Sequence, residues 1–200
     1  MLKGLDISHH NKNFKDVNVL NNYDFIIMKA TEGANYKDSA LSYFMKFLRK
    51  DMLKGFYHYA RPELKNMPEM EASNFVSTIL KYMDGRCIVA LDVEGAALNL
   101  NKQYLDHWCC KWCEYVYNAT GIKPMIYTSE AYTSFYYECV DFGCGLWCAK
   151  WATRKPTKIK PWEFFAIWQK SSKEIVSSVR CDLDYFNGTK EQYLKYCGVK

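Results

Sequence analysis

The chain has 200 residues, of which 49% are hydrophobic and 16% aromatic, with only 10 glycines and 5 prolines. This size and composition predict a single compact domain over residues 1–200 and exclude a disordered or repetitive chain. The formal charge of +5 is modest and the basic residues are scattered, so we expect no nucleic-acid partner, and no apolar run is long enough to insert into a membrane.

Eight strand-like segments follow one another along the chain. Each is a short run rich in β-branched and aromatic residues. They cover residues 4–8, 24–30, 55–60, 87–94, 125–129, 146–151, 165–171 and 181–186. Apolar residues at helical spacing separate the early strands, over residues 40–52, 68–83 and 101–119, whereas the later connections are shorter and less clearly helical.

Strands that alternate with helices predict an α/β fold with a parallel sheet. Eight strands in one domain favour a closed barrel. The weak later helices favour an irregular, TIM-like β/α barrel in which those helices are reduced or missing. An open doubly wound sheet is the alternative, but such sheets usually carry a glycine-rich phosphate loop, which this sequence lacks.

The fourth strand gives the first indication of function, because it reads V-A-L-D-V-E-G at residues 89–95. Asp92 and Glu94 lie two positions apart, so both side chains point to the same face of the strand. Buried carboxylates are costly unless they are paired, and a paired or solvated structural role is the alternative here. Two carboxylates in register at the end of an apolar strand favour an active site.

Active sites of β/α barrels lie at the carboxyl ends of the strands. The eighth strand of a closed barrel lies beside the first, so Asp182 should neighbour Asp6. Further polar and aromatic side chains stand at the strand ends: Lys29, Glu32, Tyr57, His58, Arg61, Tyr127, Trp147, Trp151, Trp168, Gln169 and Asp184. Carboxylates ringed by aromatic side chains are typical of glycoside hydrolysis.

The nine cysteines are an odd number and the N-terminal residues show no secretory signal, so we expect free thiols and synthesis in a reducing cytosol. Cys109, Cys110 and Cys113, with His107 nearby, are the alternative, a zinc site. They lie within a helical pattern, and no second ligand pair follows at zinc-finger spacing, which favours structural cysteines. We therefore expect neither a metal nor another cofactor.

The order of the motifs resembles that of a known family. The matching segments are G-L-D-I-S (4–8), D-F-I-I-M-K-A-T-E-G (24–33), G-F-Y-H-Y-A-R (55–61), L-D-V-E (91–94), P-M-I-Y-T-S (124–129), L-W-C-A-K-W (146–151), I-W-Q (167–169) and C-D-L-D-Y-F-N-G (181–188). Together they resemble the lysozymes of glycoside hydrolase family 25, which are N-acetylmuramidases. The resemblance implies an irregular eight-stranded β/α barrel, a single catalytic domain that hydrolyses the β-1,4 bond between N-acetylmuramic acid and N-acetylglucosamine in bacterial peptidoglycan.

The resemblance also implies roles for four acids. Glu94 matches the general acid, Asp92 matches the group that supports the acetamido group of the substrate, and Asp6 and Asp182 complete the charged pocket. Because like charges on one face oppose joint ionisation, we expect Glu94 to hold a proton while Asp92 stays charged. The side chains expected to bind the glycan are Tyr57, Tyr127, Trp147, Glu32 and Trp151.

Three positions depart from the family pattern. H-H-N stands at residues 9–11 where Q-G is common, Trp151 stands where tyrosine is common, and Asp184 stands where asparagine is frequent. These departures leave the implied reaction unchanged and bear on substrate preference.

The resemblance implies peptidoglycan glycan strands as the partner, and we expect a monomer. A muramidase without a signal peptide suggests a bacteriophage endolysin, made in the cytoplasm and acting on the cell wall after release by a pore-forming partner. Two alternatives stay open. One is a catalytically silent glycan-binding barrel, which would not need these acids. The other is a zinc amidase, for which four scattered histidines are a poor supply of ligands.

Overall fold

The computed structural model describes residues 1–198, in which eight strands close into a barrel and a ninth, very short strand pairs at its edge. The strands are β1 (Leu2–Ile7), β2 (Phe25–Glu32), β3 (Tyr36–Lys37), β4 (Leu53–Tyr59), β5 (Cys87–Asp92), β6 (Met125–Ser129), β7 (Gly145–Ala149), β8 (Ile167–Val176) and β9 (Val179–Phe186). Around the barrel they follow chain order, β9 returns beside β1, and β3 pairs with β2 alone. The predicted closed barrel is therefore confirmed in place of an open sheet.

The helices are long in the first half of the chain and short in the second. They are α1 (Leu41–Phe47), α2 (Pro68–Ile79), α3 (Lys102–Thr120), α4 (Tyr137–Phe142) and α5 (Lys190–Tyr196). The Asn101 side chain caps the start of α3 by accepting two backbone N–H groups, and Gly121 ends the helix with a φ of 73°. Residues 150–166, between β7 and β8, form an irregular connection. This confirms the prediction that the later helices are reduced or missing.

The last strand runs against its neighbours. The barrel strands from β1 to β8 are parallel, whereas β9 is antiparallel to both β8 and β1. The prediction of a parallel sheet is wrong for this strand, because β8 continues to Val176 and meets β9 through a two-residue turn. Both turn residues, Ser177 and Ser178, have positive φ, and such a turn joins antiparallel strands. The reversal pairs Asp182 with Asp6 at one mouth of the barrel, so their predicted neighbourhood is confirmed.

The far end of the barrel is closed by packing. The Tyr193 ring on α5 lies 5.5 Å from the Phe25 ring and 5.1 Å from the Phe186 ring, and its hydroxyl donates to the Lys54 carbonyl oxygen at 3.0 Å. Space for these rings depends on Gly4, where a Cβ atom would lie 2.4 Å from the Phe25 ring. Aromatic packing thus fills this end of the barrel, whereas both cavities lie at the opposite, open mouth.

A second apolar layer lies between the strands and the helices, and the thiols are concentrated in it. All nine cysteines are buried and free, and burial raises the pKa of both Cys113 and Cys139 well above the usual range. Within residues 1–198, no group of three or more histidine, cysteine or acidic side chains has the arrangement needed to hold a metal ion. In the same part of the chain, no helix is both long enough and apolar enough to cross a bilayer.

Candidate active site

The end of β5 directs two carboxylates toward the open mouth. Every second residue of β5 faces the inside of the barrel, and this series runs through Ala90 to Asp92, where the strand ends. Glu94 still has extended backbone, with φ −148° and ψ −174°, so it continues the alternation to the rim. Gly95, at φ 60°, then turns the chain, and a Cβ atom there would lie 2.9 Å from the Tyr59 hydroxyl. This turn fixes Glu94 at the edge of the barrel.

Five acids from three strands meet at this point, and we call them the acid cluster: Asp6, Asp92, Glu94, Asp182 and Asp184. Asp6, Asp92 and Asp184 are buried, Asp182 is half-buried, and Glu94 faces the solvent at the rim. The structure therefore brings together the four predicted catalytic acids. It adds Asp184, which lies two residues after Asp182 on the same face of β9.

Desolvation makes the acid cluster hold protons. Burial, followed by the negative charge of Asp184, raises the pKa of Asp6 well above its usual range. Burial and the charge of Asp6 raise the pKa of Asp182 to about 8, and burial raises the pKa of Asp184 to about 7. These carboxyls lack a cation of their own, so at neutral pH part of the cluster is protonated.

Asp92 and Glu94 differ from the prediction made for them. Burial and the charge of Glu94 raise the pKa of Asp92 well above its usual range, and Oδ1 of Asp92 has no hydrogen-bond partner within the described residues. Burial raises the pKa of Glu94 too, less strongly, because its side chain opens to solvent and Lys29 opposes the shift. The raised pKa of Asp92 therefore contradicts the expectation that this carboxyl stays charged, because burial and Glu94 outweigh the opposing charge of Lys29.

A hydrogen-bonded chain connects the acid cluster to the rim. Asp6 Oδ2 accepts from Gln169 Nε2 at 2.8 Å. The Oε1 atom of Gln169 accepts from the Tyr127 hydroxyl and from Trp151 Nε1, each at 2.9 Å. Gln169 thus fixes one member of the acid cluster and two aromatic side chains at once. It was noted among the strand ends but not chosen as a site residue, and its place in the inward series of β8 is the signal that could have identified it.

A recess of about 340 Å³ opens beside Glu94. It is lined by Glu94, Gly95, Leu98, Tyr127, Ser129, Ala149 and Trp151. Trp151 is 65% exposed, so its ring offers a flat face to a ligand. Trp151 lies at the start of the irregular connection between β7 and β8. Glu130 stabilises this connection by accepting hydrogen bonds from the backbone N–H groups of residues 157 and 158, at 2.6 and 2.9 Å. The structure therefore brings Tyr127 and Trp151 to the groove, as predicted.

Two other aromatic side chains predicted to line the groove form its floor instead. Trp147 is only 2% exposed, and its ring lies 4.7 Å from the Tyr127 ring and 6.1 Å from the Tyr57 ring. The Trp147 N–H donates to Asp184 Oδ1 at 2.8 Å, and Tyr57 is also buried. Trp147 and Tyr57 therefore lie beneath the recess, and a direct contact of either ring with the glycan stays a prediction.

Glu32 lies apart from the acid cluster, in a second cavity at the same mouth. This cavity of about 580 Å³, named here the His9 cavity, is lined by His9, His10, Lys29, Glu32, Gly33, Ala34, Asn35, Tyr36, Arg61, Leu64 and Asn66. Glu32 accepts from Lys29 Nζ at 2.7 Å and from Arg61 Nη1 at 2.6 Å. Although burial opposes them, these two cations lower the pKa of Glu32. Glu32 is therefore a paired carboxylate outside the Glu94 recess.

Comparison with known proteins identifies the fold and the family. The model of glycosyl hydrolases family 25 matches residues 5–179. The autolytic lysozyme of Clostridium acetobutylicum is 31% identical over 193 residues, which cover 93% of this chain and 56% of that protein. The uncharacterized protein YegX of Escherichia coli O157:H7 is 28% identical over 181 residues, which cover 88% of this chain and 64% of that protein. The chain thus spans less than two thirds of the length of these relatives.

Solved structures give the same result. A family 25 lysozyme from Aspergillus fumigatus superposes with a TM-score of 0.80 at 28% identity, covering 99% of both chains. A lysozyme from Streptomyces coelicolor superposes with a TM-score of 0.83 at 24% identity, covering 98% of this chain and 97% of that one, and supports the fold. With the family match over most of the barrel and the acids at its mouth, the chain belongs to glycosyl hydrolases family 25.

Proposed function

We propose that this chain is a muramidase, which hydrolyses the β-1,4 bond between N-acetylmuramic acid and N-acetylglucosamine in bacterial peptidoglycan. The observation that carries the proposal is the acid cluster, in which Glu94, with a pKa raised by burial, lies at the edge of a recess with an exposed tryptophan face. A raised carboxyl pKa beside a sugar-sized recess suits a general acid. Membership of the family and the lysozymes among its relatives support the same reaction.

In the proposed first step, Glu94 donates its proton to the glycosidic oxygen as the bond from that oxygen to C1 of muramic acid breaks. The carbonyl oxygen of the substrate's own 2-acetamido group attacks C1 and forms a cyclic oxazolinium intermediate. Asp92 accepts a hydrogen bond from the acetamido N–H and so stabilises the positive charge that develops there. Glu94, now ionised, then takes a proton from a water molecule that attacks C1 and reopens the ring.

The raised pKa of Asp92 fits this sequence of events. Its Oδ1 atom is buried without a hydrogen-bond donor within the described residues. The acetamido N–H of a bound sugar would supply that donor, and a hydrogen bond to a carboxylate favours the charged form. Substrate binding would therefore lower the pKa of Asp92 and favour its charged form, with the released proton passing to solvent.

A catalytically silent glycan-binding barrel is the alternative function. A binding site gains little from five acids held near one another, because the burial of carboxyls without cations lowers stability. One digestion of purified peptidoglycan separates the candidates. New reducing muramic acid ends support the muramidase, new free amines would indicate an amidase, and no release of fragments would favour the silent barrel. Glu94→Gln serves as the matched control, because it keeps the shape of the side chain and removes the acid.

We also propose that the chain acts as a monomer on the cell wall, in the manner of an endolysin or an autolysin. The acid cluster and both cavities are built from one chain, so the proposed reaction needs no residue from a second copy. Light scattering at the concentration used for the assay tests this. A dimer whose dissociation abolishes hydrolysis would contradict it.

A further inference from the structure

We propose that the His9 cavity binds the peptide that muramic acid carries in peptidoglycan. This inference rests on the proposed muramidase function and names a second part of its substrate. The cavity is formed where β1, β2 and β4 end, whereas the Glu94 recess is formed at the ends of β5, β6 and β7. The two openings therefore flank the acid cluster on opposite sides.

The His9 cavity adjoins the acid cluster through Lys29 and Tyr59. Lys29 lines the cavity, and its Nζ atom lies 4.8 Å from the centre of the Tyr59 ring. The hydroxyl of Tyr59 in turn lies against Gly95, next to the catalytic Glu94. Lys29 and Tyr59 therefore connect the His9 cavity to the side of the mouth that carries Glu94, and the charge of Lys29 acts on the pKa of Glu94.

The cavity offers more hydrogen-bond donors than acceptors. Its one acid, Glu32, has each oxygen engaged by a cation, Lys29 on one side and Arg61 on the other. Arg61 uses Nε for Glu63 and Nη1 for Glu32, which leaves Nη2 for a ligand. Within residues 1–198, the ring of His10 and the side-chain amide of Asn35 make no hydrogen bond. The surplus of N–H groups favours a ligand rich in carboxylate and carbonyl oxygens.

The backbone and the ring of His9 are both fixed by the Asp38 carboxylate. Oδ2 of the buried Asp38 lies 3.1 Å from the His9 backbone N–H donor and 2.7 Å from its ring Nδ1. The other Asp38 oxygen accepts from the Ala40 backbone at 2.9 Å, so the carboxylate itself is fixed. With Nδ1 engaged, Nε2 is the ring nitrogen left for a ligand. The His10 ring packs against His9 at 3.9 Å between centroids, which orders both side chains.

A peptide matches this cavity better than another sugar does. Sugar hydroxyls donate as often as they accept, and sugar sites usually present flat aromatic faces, as Trp151 does in the Glu94 recess. The His9 cavity instead presents guanidinium and amide N–H groups, which pair with carboxylates and peptide carbonyls. Its volume of about 580 Å³ is in the range of pockets that hold a short peptide segment.

The test compares glycan chains that carry their peptides with the same chains after an amidase has removed them. The exposed cavity residues are changed together, as His10→Ala with Asn35→Ala, and the exposed Lys81→Ala, at the far end of α2, is the control. We expect the double variant to raise KM about tenfold on peptide-bearing glycan and to leave the peptide-free glycan unchanged. An equal change on both substrates, or on neither, would overturn the proposal.

A binding measurement keeps this inference separate from the proposed function. N-acetylmuramoyl-L-alanyl-D-isoglutamine and N-acetylmuramic acid are titrated into the wild-type protein and into the double variant. We expect the wild type to bind the dipeptide compound about tenfold more tightly than the bare sugar, and the double variant to lose that difference. Equal binding of both compounds by the wild type would refute peptide recognition. Absence of hydrolysis in the digestion assay alone would refute only the muramidase.

Discussion

The two halves of the barrel mouth treat the same type of side chain in opposite ways. In the acid cluster, Asp6 and Asp92 are buried without a cation of their own, and burial raises the pKa of each. Across the mouth, Glu32 lies between Lys29 and Arg61, whose hydrogen bonds lower its pKa despite burial. Carboxylates thus hold protons on one side and neutralise cations on the other. The neighbours of a carboxyl, and not its position at the mouth, decide whether it can do acid chemistry.

One half of the mouth holds the acid cluster, and the other half holds carboxylates that are paired with cations. We call the second half the ion-paired sector, and it consists of Lys29, Glu32, Arg61 and Glu63. Changes in the acid cluster should therefore act on the chemical step. Changes in the ion-paired sector should act on pKa values and on binding.

The largest effect is expected for Glu94→Gln. The substitution keeps the shape of the side chain and removes the proton donor, so kcat on soluble glycan should fall by roughly a thousandfold or more. Binding of the glycan, measured by titration, should change little. A variant that keeps a tenth of the activity would show that another group of the cluster is the acid.

The next effect concerns the substrate instead of the protein. Glycan whose muramic acid has lost its N-acetyl group should be cut about a hundredfold more slowly, because the internal nucleophile is missing. Matched acetylated and de-acetylated glycans are compared, and the first product anomer is followed by NMR. Equal rates would rule out acetamido participation, and an initial α product would indicate inversion.

Glu32→Gln should give a smaller and different effect, because it breaks the ion-paired sector. The negative charge of Glu32 raises the pKa of Asp92, and its loss frees the positive charge of Lys29, which lowers the pKa values of Asp92 and Glu94. We expect kcat at its optimum to change by less than about tenfold, and the alkaline limb of the pH profile to move to lower pH.

The control for this shift is Glu63→Gln. Glu63 also pairs with Arg61, but it does not contact Lys29. Its pH profile should therefore match that of the wild type. Identical shifts in both variants would mean that general loss of charge, and not the Lys29 pair, causes the change.

The smallest effect is expected on stability, for Asp184→Asn. Asp184 has a pKa of about 7 when folded, above its usual 3.8, so its contribution to stability is present below about pH 4 and lost as the pH rises through 7. Asparagine keeps an oxygen for the Trp147 N–H and cannot ionise. The Tm of the variant should exceed that of the wild type by about 5 °C at pH 8.5 and match it at pH 4. A Tm lower by the same amount at both values would contradict this.

Alternation along the strands allowed much of the fold and site to be predicted. It located all eight barrel strands and the neighbourhood of Asp6 and Asp182, because closure of a barrel fixes which strands meet. The direction of β9 was not predictable in the same way. Its turn uses two serines with positive φ, where glycine or asparagine would have been the usual signal.

The depth of side chains within the mouth was the other feature that the sequence did not reveal. Trp147 and Trp151 are both aromatic and four residues apart, yet one is buried in the floor and the other is exposed at the rim. A shift of register between Lys29 and Thr31 on β2 resets the alternation before Glu32, which contributes to its place in the other cavity. The pKa of Asp92 is raised partly because its Oδ1 atom has no hydrogen-bond donor within the described residues. The alternation of side chains along a strand does not show whether such a donor is present.

The closure of the barrel by its last strand also governs when the acid cluster can form during synthesis. Asp6 belongs to the first strand, whereas its partners Gln169 and Asp182 belong to the last two, and Gln169 lies 163 positions further along the chain. A ribosome must therefore release nearly the whole barrel before these groups can meet. Until then the nascent chain carries Glu94 without its companions, so the timing of synthesis itself delays the appearance of an assembled site.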